Sequence, residues 1–251
     1  KGALITYGQS ASNINSSQDV VVYTAAIHPD NPEFTAAREA GIPMLTRAQL
    51  LGEIMQNYDT PIAVSGTHGK TTTTSMLSHI MLAGDMDPTI SVGGILKAIH
   101  GNIRVGNSQN FITEACEYTN SFLSLAPKIS LILNIDADHL DFFKDLADIR
   151  RSFRLFAEKL PGEGVLIINS SIPCLEEITD GLKCRGVTYG APGNDYYPAN
   201  VTYNELGFGS FDLMRGDISL GRFDLMVPGE HNVSNAVASL AAAHLLHVDR
   251  E

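Results

Sequence analysis

Val64-Ser65-Gly66-Thr67-His68-Gly69-Lys70-Thr71 is the stretch on which the fold of this chain turns. Ile62-Ala63-Val64 before it is continuously apolar and reads as a buried strand. Gly66 and Gly69 permit tight backbone, and a helix is predicted from Lys70 to Ala83. A strand, a glycine turn and a helix start gather successive backbone N–H groups around an anion. In that frame Lys70 reaches outer phosphates as a point charge, and Thr71 sets its hydroxyl on a magnesium ion. The general phosphate-loop pattern has Gly where Val64 stands, so this is a shortened variant. The alternative is a plain strand-to-helix turn with a solvated lysine. The run Thr71-Thr72-Thr73-Thr74 is made of poor helix formers. It reads as hydroxyls facing a ligand or, for Thr73 and Thr74, as caps on orphan N–H groups.

Outward from this loop the chain alternates strands and helices. Upstream, Ala3-Leu4-Ile5-Thr6-Tyr7 reads as a short strand and Val20-Val21-Val22-Tyr23-Thr24 as a buried one. A helix is predicted from Asn31-Pro32-Glu33 to Ala40, closed by Gly41. Ile42-Pro43-Met44-Leu45 follows as a strand and Arg47–Tyr58 as a helix, which predicts a parallel sheet. Asp59-Thr60-Pro61 reads as the break between two domains. Downstream, strands are predicted at Phe111–Glu114, Ile129–Ile135 and Val165–Asn169, with a further one ending before Gly93-Gly94. Helices are predicted at Asp145–Lys159 and Val233–His247. Gly186–Val227, rich in Gly and Tyr, reads as hairpins or edge strands. The fold class is therefore α/β: a phosphate-loop central domain with a mainly parallel sheet. It is preceded by the back half of a Rossmann-like α/β domain.

Composition agrees with this and narrows the partners. The 251 residues correspond to one or two domains at about 150 residues each. With 44% hydrophobic and 18% charged residues, a large core is available and global disorder is excluded. The net charge of −11 argues against nucleic-acid backbone tracking and against anionic membrane surfaces, though not against a local anion pocket. No run approaches about 18 apolar residues. Cys116, Cys174 and Cys184 are an odd count without C-x-x-C spacing and read as reduced thiols. The chain opens at Lys1 without a methionine, so a preceding segment is expected.

Acidic groups follow two of the predicted strands. Glu114 and Glu117 close one, and Asp136, Asp138, His139 and Asp141 follow the next. Ligand groups gather at the carboxyl ends of strands in open parallel sheets. Carboxylate oxygen suits magnesium. A solvated loop is the alternative for the acids, and an N-cap or surface role for His139. Asn232 and Asn235 stand one helical turn apart, and an amide can match the edge of an adenine ring. Capping by Asn232 competes with that reading.

Taken together these motifs resemble the Mur ligase family. The residues that carry the likeness are Gly66-Thr67-His68-Gly69-Lys70-Thr71-Thr72, Glu114-Ala115-Cys116-Glu117, Asn134 with Asp138-His139-Leu140-Asp141, and Gly229 with His231-Asn232 and Asn235-Ala236. His68 in the loop, and upstream Thr24-Ala25-Ala26-Ile27, Asp30-Asn31-Pro32-Glu33 and Ala37-Arg38-Glu39-Ala40-Gly41-Ile42-Pro43, favour the alanine-adding members. The resemblance covers essentially the whole chain. It implies residues 1–58 as the C-terminal part of a UDP-substrate-binding domain and 59–251 as the central ATP-binding domain. The start of the first domain and a C-terminal domain are then missing, and this stretch alone is expected to be inactive.

The resemblance further implies ATP and magnesium as cofactors, and UDP-N-acetylmuramate and L-alanine as substrates. These would be joined through an acyl phosphate in bacterial, cytoplasmic peptidoglycan precursor synthesis, on which cell shape and division depend. Gly66, Thr67, His68, Gly69, Lys70, Thr71 and Thr72 would cradle the phosphates, and Asn232 and Asn235 would read adenine. Thr71 and Glu114 would hold one magnesium ion and His139 a second, with Lys70, Glu114 and His139 as the catalytic set. Gly93-Gly94 would let the sugar nucleotide approach the backbone. Two positions depart from the family pattern: Cys116 replaces an Asp, and Gln9 stands where a His is common. Arg154 lies near the lysine that several relatives carbamylate; the alanine-adding members also lack that lysine, which favours them. Two other readings remain: a recycling ligase for a murein tripeptide, and a noncatalytic nucleotide-binding module.

Overall fold

The computed structural model describes residues 2–24 and 26–249. Lys1, and Ala25 of the upstream motif, lie outside the described residues. The chain forms two compact units, residues 1–54 and 55–251.

In the first unit β1 (Val21–Tyr23) pairs in parallel with β2 (Met44–Thr46). Between them runs α1 (Pro32–Glu39). The Asn31 side chain caps it, accepting from the N–H groups of Glu33 and Phe34, and Gly41 turns the chain out at φ +67°. α2 (Arg47–Met55) follows β2 directly. Two expectations change. Ala3–Tyr7 forms no strand: Leu4, Ile5 and Tyr7 are exposed and join no ladder. A strand exists only through its partner's hydrogen bonds, and β1–β2 is the only ladder among the described residues of this unit. The strand expected at Val20–Thr24 is shorter and not buried on both faces, with Val22 exposed.

The second unit is built on β3 (Thr60–Ser65), so Thr60 and Pro61 open a strand rather than form a linker. α3 (Lys70–Ala83) follows, then β4 (Thr89–Leu96), which contains Gly93 and Gly94 rather than ending before them. Next come β5 (Gly101–Arg104), β6 (Asn110–Ala115), β7 (Ile129–Ile132), α4 (Leu146–Ala157), β8 (Val165–Asn169), the short α5 (Glu176–Thr179) and β9 (Arg185–Tyr189). The chain closes with a meander, β10 (Tyr196–Tyr203), β11 (Phe208–Arg215) and β12 (Ile218–Pro228), and then α6 (Glu230–Leu245). The ten strands form one sheet in the order β12-β11-β10-β9-β8-β7-β3-β6-β4-β5. It is parallel from β10 to β4 and antiparallel at both margins, β10-β11-β12 and β4-β5.

Helices α3 and α6 share one core with the sheet. Leu77 and Met81 of α3 and Val237, Ala238 and Ala241 of α6 pack with Ile62, Val64, Ile112 and Leu131. Small alanines on α6 allow the helix to lie close, and Ser239 Oγ donates to the carbonyl of Thr73 across the contact at 3.2 Å. α4 begins at the cap Asp145, whose side chain accepts from the Asp148 N–H at 2.9 Å. It buries Phe153 and Phe156 against Phe122, with Phe122 and Phe156 stacked at 4.6 Å and Phe122 and Phe153 edge-on at 5.3 Å.

The β4–β5 margin hangs on one carboxylate. Asp87 accepts from the Arg104 guanidinium and from the backbone and side-chain N–H groups of Asn107. These donors hold its carboxyl well down, at about 2.

Phe156→Ala should lower stability by about 3–5 kcal/mol in urea unfolding, because the fully buried ring stacked on Phe122 would leave a cavity. The depressed Asp87 carboxyl stabilises the fold above its ordinary range near 4 and loses that contribution as pH falls from about 4 toward 2. An NMR titration should place its midpoint near 2, and Asp87→Asn should flatten the acid limb of stability over that window.

Candidate functional site

The end of β3 is welded to the segment that follows β7. The Leu133 N–H donates to the Ser65 carbonyl at 3.0 Å and the Thr67 N–H to the Asn134 carbonyl at 3.1 Å. The Asn134 amide then clamps His68, accepting from its N–H at 2.7 Å and donating to its carbonyl at 3.0 Å. Thr67 Oγ1 accepts from the Asp136 N–H at 2.9 Å. A Cβ at Gly66 would stand 3.0 Å from the Leu133 Cβ, which explains a glycine there. Gly69 sits at φ +85° as the N-cap of α3, and no side chain caps that helix. Its first N–H groups therefore face the loop, the arrangement that binds phosphate.

Lys70 folds back over this loop. Its ammonium donates to the carbonyls of Gly66 at 2.6 Å and Thr67 at 3.1 Å, and to both oxygens of Glu117 at 2.9 and 3.1 Å. Glu117 is almost wholly buried, with 2% of its side chain exposed. Its Oε1 also lies 3.7 Å from His139 Nε2, an ion-pair distance rather than a hydrogen bond. Tyr118 covers the His139 ring at 4.6 Å and donates its hydroxyl to Asp141 at 2.7 Å. That bond pushes the Tyr118 phenol above its usual range. His139 itself has φ +53°, and its carbonyl accepts from the N–H groups of Phe142 and Phe143.

Beside this chain of contacts, Thr71 Oγ1 donates to Glu114 at 3.0 Å, and the other Glu114 oxygen accepts from the Gly93 N–H at 2.5 Å. The expected set therefore falls into two linked groups, Thr71 with Glu114 and Lys70 with Glu117 and His139. A hydroxyl and one carboxylate fit magnesium, which keeps several waters and binds mainly oxygen. Among the described residues, no three His, Cys, Asp or Glu side chains gather to enclose an ion. Among the described residues, the acidic groups paired with His139 are Glu117 and Asp138, Asp138 Oδ1 lying 3.9 Å from Nδ1. His68 stands at the rim, largely exposed and 3.8 Å from Asp136. Thr72 is half-buried at the start of α3.

Two expectations change here. Thr73 and Thr74 are fully buried with no hydrogen-bond partner for their hydroxyls, so they face the core and neither a ligand nor the helix cap. Successive helical residues turn by about 100°, which carries the second pair of the run inward. Asn232 lies inside α6 and does not cap it; Gly229 is the N-cap. Its amide donates to the Pro228 carbonyl at 2.7 Å and accepts from Asn235 at 3.0 Å. Both asparagines are buried, and a Cβ at Gly69 would come within 2.7 Å of Asn235 Oδ1. Asn235 thus forms a wall of the loop. Arg154 is committed elsewhere, to Glu158 and to the carbonyls of Ile178 and Asp180. Sequence reasoning placed Asn134 and Glu117 nearby but missed their part in holding the loop; the only local signal was their position just after a strand.

Residues 64–243 match the description of the Mur ligase middle domain, and residues 1–59 that of the Mur ligase family catalytic domain. The chain is 59% identical to a UDP-N-acetylmuramate–L-alanine ligase of Agathobacter rectalis, over 100% of this chain and 55% of that protein. It thus spans about half the length of the curated relatives it matches. Among solved structures, the UDP-N-acetylmuramate-alanine ligase of Thermotoga maritima superposes with a TM-score of 0.80 at 27% identity. That match covers 97% of this chain and 54% of the other. A UDP-N-acetylmuramate:L-alanyl-gamma-D-glutamyl-meso-diaminopimelate ligase from Neisseria meningitides gives 0.86, also at 27% identity, over 96% and 79%.

Gly69→Ala should open the loop, because an L side chain at positive φ is strained by about 1–3 kcal/mol and its Cβ meets Asn235. Adding Asn235→Ala should recover part of the loss in urea unfolding, while the backbone strain remains. Full additivity of the two substitutions would contradict the contact.

Proposed function

The chain belongs to the Mur ligase family, and on that premise we propose that it is the nucleotide-handling part of an ATP-dependent amide ligase. The whole protein joins L-alanine to UDP-N-acetylmuramate in the synthesis of peptidoglycan precursors, in the cytoplasm of a bacterium. Residues 1–58 are the end of the UDP-substrate-binding domain and 59–251 the central ATP-binding domain. The observation that carries the reading is the convergence of three strand ends. Lys70 and Thr71 follow β3, Glu114 and Glu117 close β6, and His139 follows β7, all joined by direct contacts.

The chemistry this arrangement supports is an in-line transfer followed by acyl transfer. An oxygen of the lactyl carboxylate attacks the γ-phosphorus, the bond to the β-phosphate oxygen breaks, and ADP leaves. The amine of L-alanine then attacks the acyl carbon, phosphate leaves, and the nitrogen gives up a proton. The uncapped N–H groups of α3 bind the phosphate oxygens, and Lys70 neutralises charge on the group in transfer. Magnesium, held by Thr71 and Glu114 with a second ion at His139, would supply further neutralisation of the phosphate oxygens. Asn235 stands against Gly69 as a wall of the loop, and Asn232 and Asn235, bonded to each other, are the residues assigned to adenine. No covalent enzyme intermediate is required.

The murein-tripeptide ligase is the second reading, favoured by the TM-score of 0.86 to the Neisseria meningitides protein. The 59% identity to the Agathobacter rectalis protein over the whole chain supports the L-alanine reading.

Full-length protein should release ADP and phosphate from ATP with UDP-N-acetylmuramate and L-alanine. Turnover with the tripeptide alone would select the second reading. Lys70→Ala should weaken Mg-ATP binding by about 10- to 150-fold in calorimetry, the worth of one charge-assisted hydrogen bond.

A further inference from the structure

The ammonium of Lys70 is oversupplied with acceptors. It has three N–H donors and four oxygens within 3.1 Å: two loop carbonyls and both carboxylate oxygens of Glu117. None of its donors is left for a phosphate. Glu117 is held in place by its own surroundings. Its side chain is buried, its carbonyl accepts from the Asn120 N–H at 2.9 Å, and the turn continues through Thr119 and Asn120 at positive φ. The same carboxylate faces His139, whose ring is fixed on its other side by Tyr118.

We propose that Glu117 is a positioning residue that gates the phosphate loop. Glu117 competes with an incoming phosphate for the Lys70 ammonium, which it holds against the loop carbonyls. This rests on the reading of Lys70 as the phosphate-binding lysine. The gate opposes ground-state nucleotide binding, because the incoming phosphate must displace an anion already paired with the lysine. The same carboxylate also sets the place of Lys70 relative to His139. Removing the charge therefore has opposite effects on binding and on turnover, which a merely structural residue does not have.

The test uses full-length protein and the magnesium complex of AMP-PNP. Glu117→Gln should bind it about tenfold more tightly, or better, while ligase turnover falls by about 10- to 100-fold. In a Lys70→Ala background the gain in affinity should largely vanish. Glu117→Asp retracts the carboxylate by one methylene and should shift affinity in the same direction, so it decides the matter if Glu117→Gln does not fold. Unchanged or weaker nucleotide binding in the folded variant overturns the gate. So does an equal gain in the Lys70→Ala background, which would assign the effect to general repulsion of phosphate. Wild-type turnover with L-alanine tests the proposed function separately, since the affinity measurements need no ligase activity.

Discussion

The parallel register of β3 against β7 is the constraint on which the site depends. Ile62 to Ser65 pair with Ile129 to Ile132. The pairing carries on past both strands, through Leu133 with Ser65 and Thr67 with Asn134. This continuation fixes where the glycine turn leaves the sheet. Because a one-residue slip would send every side chain to the other face, the buried Ile62, Val64 and Leu131 hold the loop in register from below.

Two carboxylates on one short segment complete the arrangement. Glu114 and Glu117 stand three residues apart where β6 ends, and each takes one residue after the glycine turn: Thr71 and Lys70 respectively. β6 lies next to β3 in the sheet, so adjacency of strands becomes adjacency of opposite charges. A buried anion such as Glu117 is stable only when paired. Lys70 supplies that pairing, and the loop and β6 end are thereby one unit. Cys116, between the two, is exposed and contributes nothing to this pairing.

Much of this was legible from sequence wherever local chemistry decides structure. α3 spans Lys70–Ala83 as expected, because a glycine turn before a run free of glycine and proline leaves few other choices. The helix starts at Asn31 and Asp145, and the strand Val165–Asn169, were legible because side chains there act on their own backbone or form a continuous apolar run. What needed tertiary information was misread. Ala3–Tyr7 is apolar enough for a strand yet has no ladder, and Gly93 and Gly94 sit inside β4 despite poor strand propensity. Thr73 and Thr74 share a residue type with Thr71, but helix rotation gives them a different neighbour. The pairing of Lys70 with Glu117 joins residues far apart in sequence, and only the sheet order brings them together.

Carboxylate activation by ATP, the function proposed for this site, is tested most directly by following oxygen. Full-length protein is given UDP-N-acetylmuramate labelled with oxygen-18 in its lactyl carboxylate, together with ATP and L-alanine, and the released phosphate is analysed by mass spectrometry. An acyl phosphate intermediate predicts one labelled oxygen in each phosphate released. Unlabelled phosphate, formed while the amide product accumulates, would contradict it.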